Sequence, residues 1–352
     1  MNDLPFILRF DEQYEEGPGS GEQLFDALDR PRLGREGACS SLEFSTHLWP
    51  GLAASEGPLQ GKTFQELMKD HGERTAGSTG MWLYGGGLGL EVRFRSAEKS
   101  PSALRIVEPG TGRPRPRKAP RPVMALHVLE ANPASVVYFG RRKNLEPEQF
   151  KSLLIKDPHA ELLREFPAGP GMVLLAPAGF PYALGPGVLA YEVLVEPEKT
   201  GPPSRPSYTK IARWLVTELV PPRRGPVSPL GFVEGANALT WLYASSTAAT
   251  VRLDLRETWR EGPQESFAVM TGIFGRALVV CGDFTETITK GKSLVLPSGR
   301  PVVEISPEKG GASLLKTWLP DVKKELEKPL RERGITQREI EGLYGFFGRE
   351  RV

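Results

Sequence analysis

The sequence predicts a mainly β protein: two β-sandwich barrels of the jelly-roll kind in tandem, a few short helices, and a helical tail. Three observations carry this. Short apolar runs recur at close spacing along most of the chain, as they do in sandwiches and barrels. The 352 residues include 33 prolines and 39 glycines, which punctuate those runs as tight turns do. The stretch Gly169-Pro-Gly-Met-Val-Leu-Leu-Ala-Pro-Ala-Gly is echoed by Lys290-Gly-Lys-Ser-Leu-Val-Leu-Pro-Ser-Gly. Each is a glycine turn, an apolar strand and then Pro-small-Gly, and such an echo predicts two related units.

The first unit is assigned to residues 1–205. Strands are expected near 6–10, 41–44, 88–94, 102–107, 124–130, 135–139, 172–175 and 188–195. Thr63 and Glu66 form a capping box at the head of a short helix. Phe150, Leu153, Leu154, Leu162 and Leu163 predict short amphipathic helices within 146–166, broken at Pro158. The proline-rich stretch 196–206 is the expected linker. The second unit, 206–320, carries strand patterns at 212–220, 239–244, 250–255, 266–272, 276–281, 285–288, 293–296, 302–305 and 313–318. In the tail, 321–352, Thr336 and Glu339 form a second capping box, and Ile335, Ile340, Leu343 and Phe346 or Phe347 supply an apolar face for docking on the barrels.

Composition excludes several classes. Hydrophobic content of 39% with 25% charged residues describes a globular chain. A net charge of +2 gives no global attraction to nucleic acid. The basic stretch 113–121 has no interleaved aromatic ladder for base stacking. Cys39 and Cys281 are too few and too distant for a disulfide framework or a cysteine-rich zinc site. There is no run of 18 apolar residues and no basic-then-apolar leader, so the expected location is cytoplasmic, with no membrane partner.

Residues 177–192 read Pro-Ala-Gly-Phe-Pro-Tyr-Ala-Leu-Gly-Pro-Gly-Val-Leu-Ala-Tyr-Glu. This stretch resembles the Pro-Ala-Gly-x-x-His-Ala-x-Gly-x-Gly segment of type I mannose-6-phosphate isomerases, which are built from cupin barrels. Gly57–Leu59 and the residues to Leu67, and the run Met124-Ala-Leu-His-Val-Leu-Glu-Ala with the later Tyr138-Phe-Gly, resemble further segments of that family in order and spacing. The resemblance implies tandem cupin domains with the site inside the first barrel. It also implies four zinc-ligand positions, which in this chain hold Ile106, Glu108, Met124 and Tyr182.

One carboxylate among four such positions does not hold a catalytic zinc, so no metal and no other cofactor is expected. A phenol with a pKa of about 10 is a poor zinc ligand at neutral pH. The resemblance leaves a sugar or sugar phosphate as the candidate partner. Glu108, Arg121, His127 and Tyr182 are the candidate ligand-binding residues, with the Arg141-Arg-Lys group as a further source of cations for a phosphate. Three functions fit this pattern: a binder of sugar or sugar phosphate without zinc catalysis, an aldose–ketose isomerase with a rebuilt site, and a non-catalytic scaffold. The expected convergence is of Glu108, Met124 and Tyr182 inside the first barrel, with His127 at or near its rim.

Overall fold

A computed structural model describes residues 4–344, apart from 107–121, 143–148, 150–161, 200–225 and the single positions 18, 20, 33, 34, 36, 86, 103 and 178. The strands of the first half are β1 Gln13–Glu16, β2 Ala38–Ser45, β3 Leu88–Ala97, β4 Arg105–Ile106, β5 Val123–Ala131, β6 Val136–Arg141, β7 Leu163–Pro167, β8 Val173–Pro177, β9 Pro181–Leu184 and β10 Val188–Pro197. They form two antiparallel sheets, ordered β1-β2-β3-β10-β5-β8 and β4-β9-β6-β7. Side chains from both sheets meet between them: Met124, Leu126, Leu174, Ala190 and Leu194 from one, Val137, Phe139, Tyr182 and Leu184 from the other. That layer is the interior of the first barrel.

The second half contributes β11 Leu230–Glu234, β12 Asn237–Ala244, β13 Ala249–Leu255, β14 Trp259–Glu261, β15 Ala268–Cys281, β16 Phe284–Thr289, β17 Ser293–Leu296 and β18 Val303–Trp318. They form one antiparallel sheet ordered β11-β12-β13-β18-β15-β16, with β14 beside β18 and β17 beside β15. Trp241, Leu253, Met270, Val279, Ile305 and Leu314 fill its interior. The fold class expected from sequence, two mainly β sandwich barrels, is the fold observed. The strands expected at 266–272 and 276–281 are a single bulged strand, β15, and those at 302–305 and 313–318 are likewise one strand, β18.

A third apolar layer joins the halves. Leu90, Val92 and Phe94 of β3, and Tyr191, Val193 and Val195 of β10, point away from the first barrel's interior. They pack with helices α1 (Glu22–Leu28), α2 (Phe64–His71) and α3 (Glu73–Tyr84), and with Tyr243, Phe267, Val269 and Leu315 of the second half. Phe267 is fully buried, and its ring centroid lies 5.5 Å from Phe44, 4.9 Å from Phe64 and 5.9 Å from Tyr84. Gly77 interrupts α3 at φ 78°, where a Cβ would collide with the Glu265 carbonyl oxygen; only glycine allows that approach. Polar links cross the same layer. Tyr191 Oη and Thr317 Oγ1 are 3.0 Å apart, and Arg30, paired in bidentate fashion with buried Glu43 at 3.0 and 2.7 Å, donates to the Gly291 carbonyl oxygen of the second half.

Both predicted capping boxes are present, Thr63 with Glu66 and Thr336 with Glu339. The tail forms a π-helix, Val322–Glu327, then α4 (Lys328–Glu332) and α5 (Gln337–Gly342). Ile340 and Leu343 of the expected face dock on the second barrel with Ile335 packed against them, and Leu326 and Leu330 join them there; Phe346 and Phe347 lie outside the described residues. Other expectations differ. Leu163 opens strand β7 rather than lying in a helix, because it pairs with Arg141 across the sheet. Residues 6–10 make only isolated bridges, Leu8 to Val295 and Phe10 to Ala54. The rest of the 146–166 helical segment and the 212–220 strand lie outside the described residues. Cys39 and Cys281 are both free thiols. Among the described residues no helix is long and apolar enough to cross a membrane.

Replacing Phe267 by Ala removes the ring on which both halves converge. The expected loss is about 3–5 kcal/mol of stability, read from urea unfolding; a loss under about 1 kcal/mol would show that the inter-barrel layer repacks without it.

Candidate functional site

Strand β3 reads Leu-Gly-Leu-Glu-Val-Arg-Phe-Arg-Ser-Ala. Its alternation sends Leu90, Val92 and Phe94 to the inter-barrel layer and Glu91, Arg93 and Arg95 to the opposite face. In a one-sided sheet that charged face would be wet. Here the second sheet covers it, and the side chains of Glu91, Arg93 and Arg95 are at most 3% exposed. Neighbouring β10 places Glu192 directly opposite Arg93 in the register. The side chain of Glu192 is 0% exposed.

Around Glu192 three guanidinium groups gather. Arg95 Nη1 lies 3.2 Å from Glu192 Oε2, Arg105 Nη1 lies 3.5 Å from Oε1, and Arg93 Nε lies 3.9 Å from Oε1. Tyr182 Oη donates to Glu192 Oε2 at 3.1 Å, and Arg95 stands over the Tyr182 ring at 5.9 Å. The network continues outward. Arg93 pairs with Glu91 and, at 2.7 Å, with Glu15; Arg105 reaches Glu15 at 2.6 Å. Lys199 pairs with Glu91 and with Glu196, each at 2.8 Å. His47 sits between Glu91 and Glu198, 3.7 Å from each, its ring lying against Gly89 where any Cβ would intrude. The four cations Arg93, Arg95, Arg105 and Lys199 thus face the four carboxylates Glu15, Glu91, Glu192 and Glu196. The network reaches solvent through Glu15, Arg105 and Lys199, whose side chains are 48%, 24% and 26% exposed.

The charges set the protonation states. Burial pushes Glu192 up, but Arg95, Arg105 and Arg93 together outweigh it and hold the carboxyl below its ordinary range. Burial likewise opposes ionisation of Glu15, and Arg105 and Arg93 overcome it, holding Glu15 at about 2. Burial raises the Tyr182 phenol far above its ordinary value, and the Glu192 charge adds to this. Tyr182 is therefore a protonated donor to an ionised Glu192. That pairing binds and orients; it offers neither a free base nor a phenolate for a metal.

The residues singled out from sequence fall in different places. Met124 and Tyr182 share the first barrel's interior, Met124 among apolar side chains. Ile106 does not join them. Its side chain packs outside the barrel on Tyr138, Leu162, Leu163 and Ala183, and Arg105, the residue paired with Tyr182 in the β4–β9 register, is the one that reaches Glu192. The inward phase of this short strand is one residue off that assumed from sequence. His127 also departs from its expected place at the rim. It lies three positions after inward-pointing Met124, so the alternation turns it to the inter-barrel face, opposite Tyr191 of β10. There it is buried, its Nδ1 lacks a hydrogen-bond partner, and burial followed by the Arg252 charge lowers its pKa to about 4. Arg142 is exposed and pairs with Glu165 at 3.3 Å. Glu108, Arg121 and Lys143 lie outside the described residues.

Zinc does not fit the donors described. Tyr182 is protonated and committed to Glu192, Glu192 is saturated by guanidinium groups, Ile106 faces away, and Met124 is enclosed by apolar side chains. Three fixed positive charges at this spot oppose a divalent cation.

Sequence comparison gives no relative: no family model and no curated protein matches this chain. Solved structures do match in fold. The mannose 6-phosphate isomerase from Bacillus subtilis superposes with a TM-score of 0.68 at 16% identity, over 89% of this chain and 99% of that one. A putative mannosephosphate isomerase from Archaeoglobus fulgidus gives 0.66 at 17%, over 91% and 99%. The mannose 6-phosphate isomerase from Salmonella typhimurium, solved with fructose 6-phosphate and zinc, gives 0.61 at 13%, over 90% and 100%. The chain has the fold of these isomerases along nearly their whole length.

The folded state holds Glu15 and Glu192 below their unfolded pKa values, so it binds fewer protons than the unfolded chain in acid. Their stabilisation is complete above the ordinary value of 4.5 and is lost as pH falls through the folded values, down to about 2 for Glu15. Buried His127, held at about 4 against an ordinary 6.5, adds a loss that begins as pH falls below about 6.5. The urea midpoint is therefore expected to fall from about pH 6.5 downward and to keep falling below 4.5 as the carboxylates protonate; a midpoint that rises toward about pH 3 would contradict the network.

Proposed function

We propose that this chain is a divergent protein of the mannose-6-phosphate isomerase type that binds a sugar or sugar phosphate at its first barrel without zinc catalysis. The observation that carries this reading is the Arg95–Glu192–Tyr182–Arg105 cluster, which stands in the barrel interior with Met124 where metal donors would be needed. Arg105 and Glu15 are the cluster's solvent-facing end. A guanidinium there suits a phosphate or a hydroxyl oxygen, and a carboxylate suits sugar hydroxyl donors. The segment 107–121, with Glu108 and Arg121 near its ends, joins β4 to β5 and is the proposed further source of ligand contacts. Tyr182 acts by holding Glu192, since its hydroxyl is already engaged within the protein.

The charge balance favours a second reading. Four cations matched by four carboxylates leave no spare cation among them, as befits a scaffold whose ionic centre is purely structural. Calorimetry separates the two. Mannose 6-phosphate or fructose 6-phosphate is expected to bind the parent protein, and Arg105→Ala to weaken binding about tenfold or more, the value of one charge-assisted hydrogen bond. Absence of binding by either sugar phosphate would leave the scaffold reading.

A further inference from the structure

The ionic network of the first barrel ends on a carboxylate unlike its others. Glu91, Glu192 and Glu196 stand on β3 and β10 with side chains at most 7% exposed, whereas Glu15 stands on β1 with its side chain 48% exposed. Strand β1 is four residues long and forms the edge of its sheet. Its pairing with β2 slips at this point: Glu15 faces Ser40 and Glu16 faces Ala38, so Cys39 is the extra residue of a bulge. Such bulges recur at sheet edges and beside active sites.

Glu15 bridges two guanidinium groups. Its Oε1 accepts from Arg93 Nη1 at 2.7 Å and its Oε2 from Arg105 Nη2 at 2.6 Å. Two guanidinium groups converging on two oxygens of one anion is an arrangement that also recognises phosphate. Each arginine has a second anchor. Arg93 pairs with Glu91, and Arg105 Nη1 lies 3.5 Å from Glu192. When Glu15 leaves, both arginines therefore stay paired. Arg93, Arg95, Arg105 and Lys199 then face only Glu91, Glu192 and Glu196, and one positive charge is unmatched. Against its burial, Arg105 and Arg93 keep Glu15 ionised down to about 2, so mild acid does not release it, while a competing anion can.

We propose that the Arg93–Arg105 pair is a phosphate seat that Glu15 occupies as a built-in competitor, and that a phosphorylated ligand binds by displacing this carboxylate. The proposal takes its ligand class from the sugar-phosphate reading, rests on it in that respect, and adds regulation of the same site. Inorganic phosphate is the probe, because it reads the seat without the sugar. Calorimetric titration of the full chain near neutral pH should find weak binding by the parent. Glu15→Gln should bind phosphate about tenfold more tightly or better, and Glu15→Gln combined with Arg105→Ala should lose that gain. If Glu15→Gln does not fold, the parent decides: saturating phosphate should move the NMR resonance of the Glu15 side-chain carboxyl carbon toward that of a free glutamate. Equal affinity in the parent and Glu15→Gln, a gain that persists in the double variant, or a resonance that phosphate leaves unmoved overturns the proposal. The two readings fail separately. Phosphate gained by Glu15→Gln while neither mannose 6-phosphate nor fructose 6-phosphate binds would sink the sugar-phosphate reading and keep the seat. Mannose 6-phosphate bound by the parent while Glu15→Gln gains no affinity for phosphate would sink the seat alone.

Discussion

Glu192 is the residue on which the first barrel's interior depends. A carboxylate with no exposed surface survives there because Arg95, Arg105 and Arg93 surround it and Tyr182 donates to it. Removing such a charge from water costs several kcal/mol, and only close, multiple partners repay that cost. The cluster draws on four strands: β3 supplies Arg93 and Arg95, β4 supplies Arg105, β9 supplies Tyr182, and β10 supplies Glu192 itself. One carboxylate therefore fixes the spacing of the two sheets across the barrel. Around it Met124, Leu126, Phe139 and Leu194 exclude water, which strengthens every ionic contact inside.

The same strands serve two layers. On β3 and β10 the odd and even positions part company: charges turn to the barrel interior, while Phe94, Tyr191 and Val193 turn to the layer shared with the second half. The halves thus share a core that includes Phe44, Phe64 and Phe267. Ionic order inside the first barrel and apolar order between the barrels are set by one alternation, so a change of register at β3 or β10 would disrupt both.

Much of the fold was legible because glycine turns, proline breaks and short apolar runs report directly on strands. The capping boxes at Thr63 and Thr336 were legible for the same local reason. The site was less so. Glu91, Arg93 and Arg95 alternate with apolar residues, the pattern of a sheet with one wet face; nothing local says that a second sheet covers that face. The signal was present in the mixture of signs, since opposite charges two residues apart, beside a strand with a single Glu, are the material of a buried pair. Ile106 and His127 were misplaced for a different reason. Strand phase decides inward or outward, and one residue of error in β4, or an odd offset from Met124 in β5, reverses it. Helix α3 was missed because Gly77 and Gly80 weaken its pattern, and those glycines are there for close packing on the second half.

Charged side chains, centred on Glu192, hold the interior of the first barrel together. Urea unfolding of the parent and of Glu192→Gln, each with and without a strong chelator, tests it most directly. The variant is predicted to lose about 3–5 kcal/mol, because three arginines are left around a neutral amide, and the chelator to move neither midpoint. A chelator-sensitive parent together with a variant within about 0.5 kcal/mol of it would contradict the account.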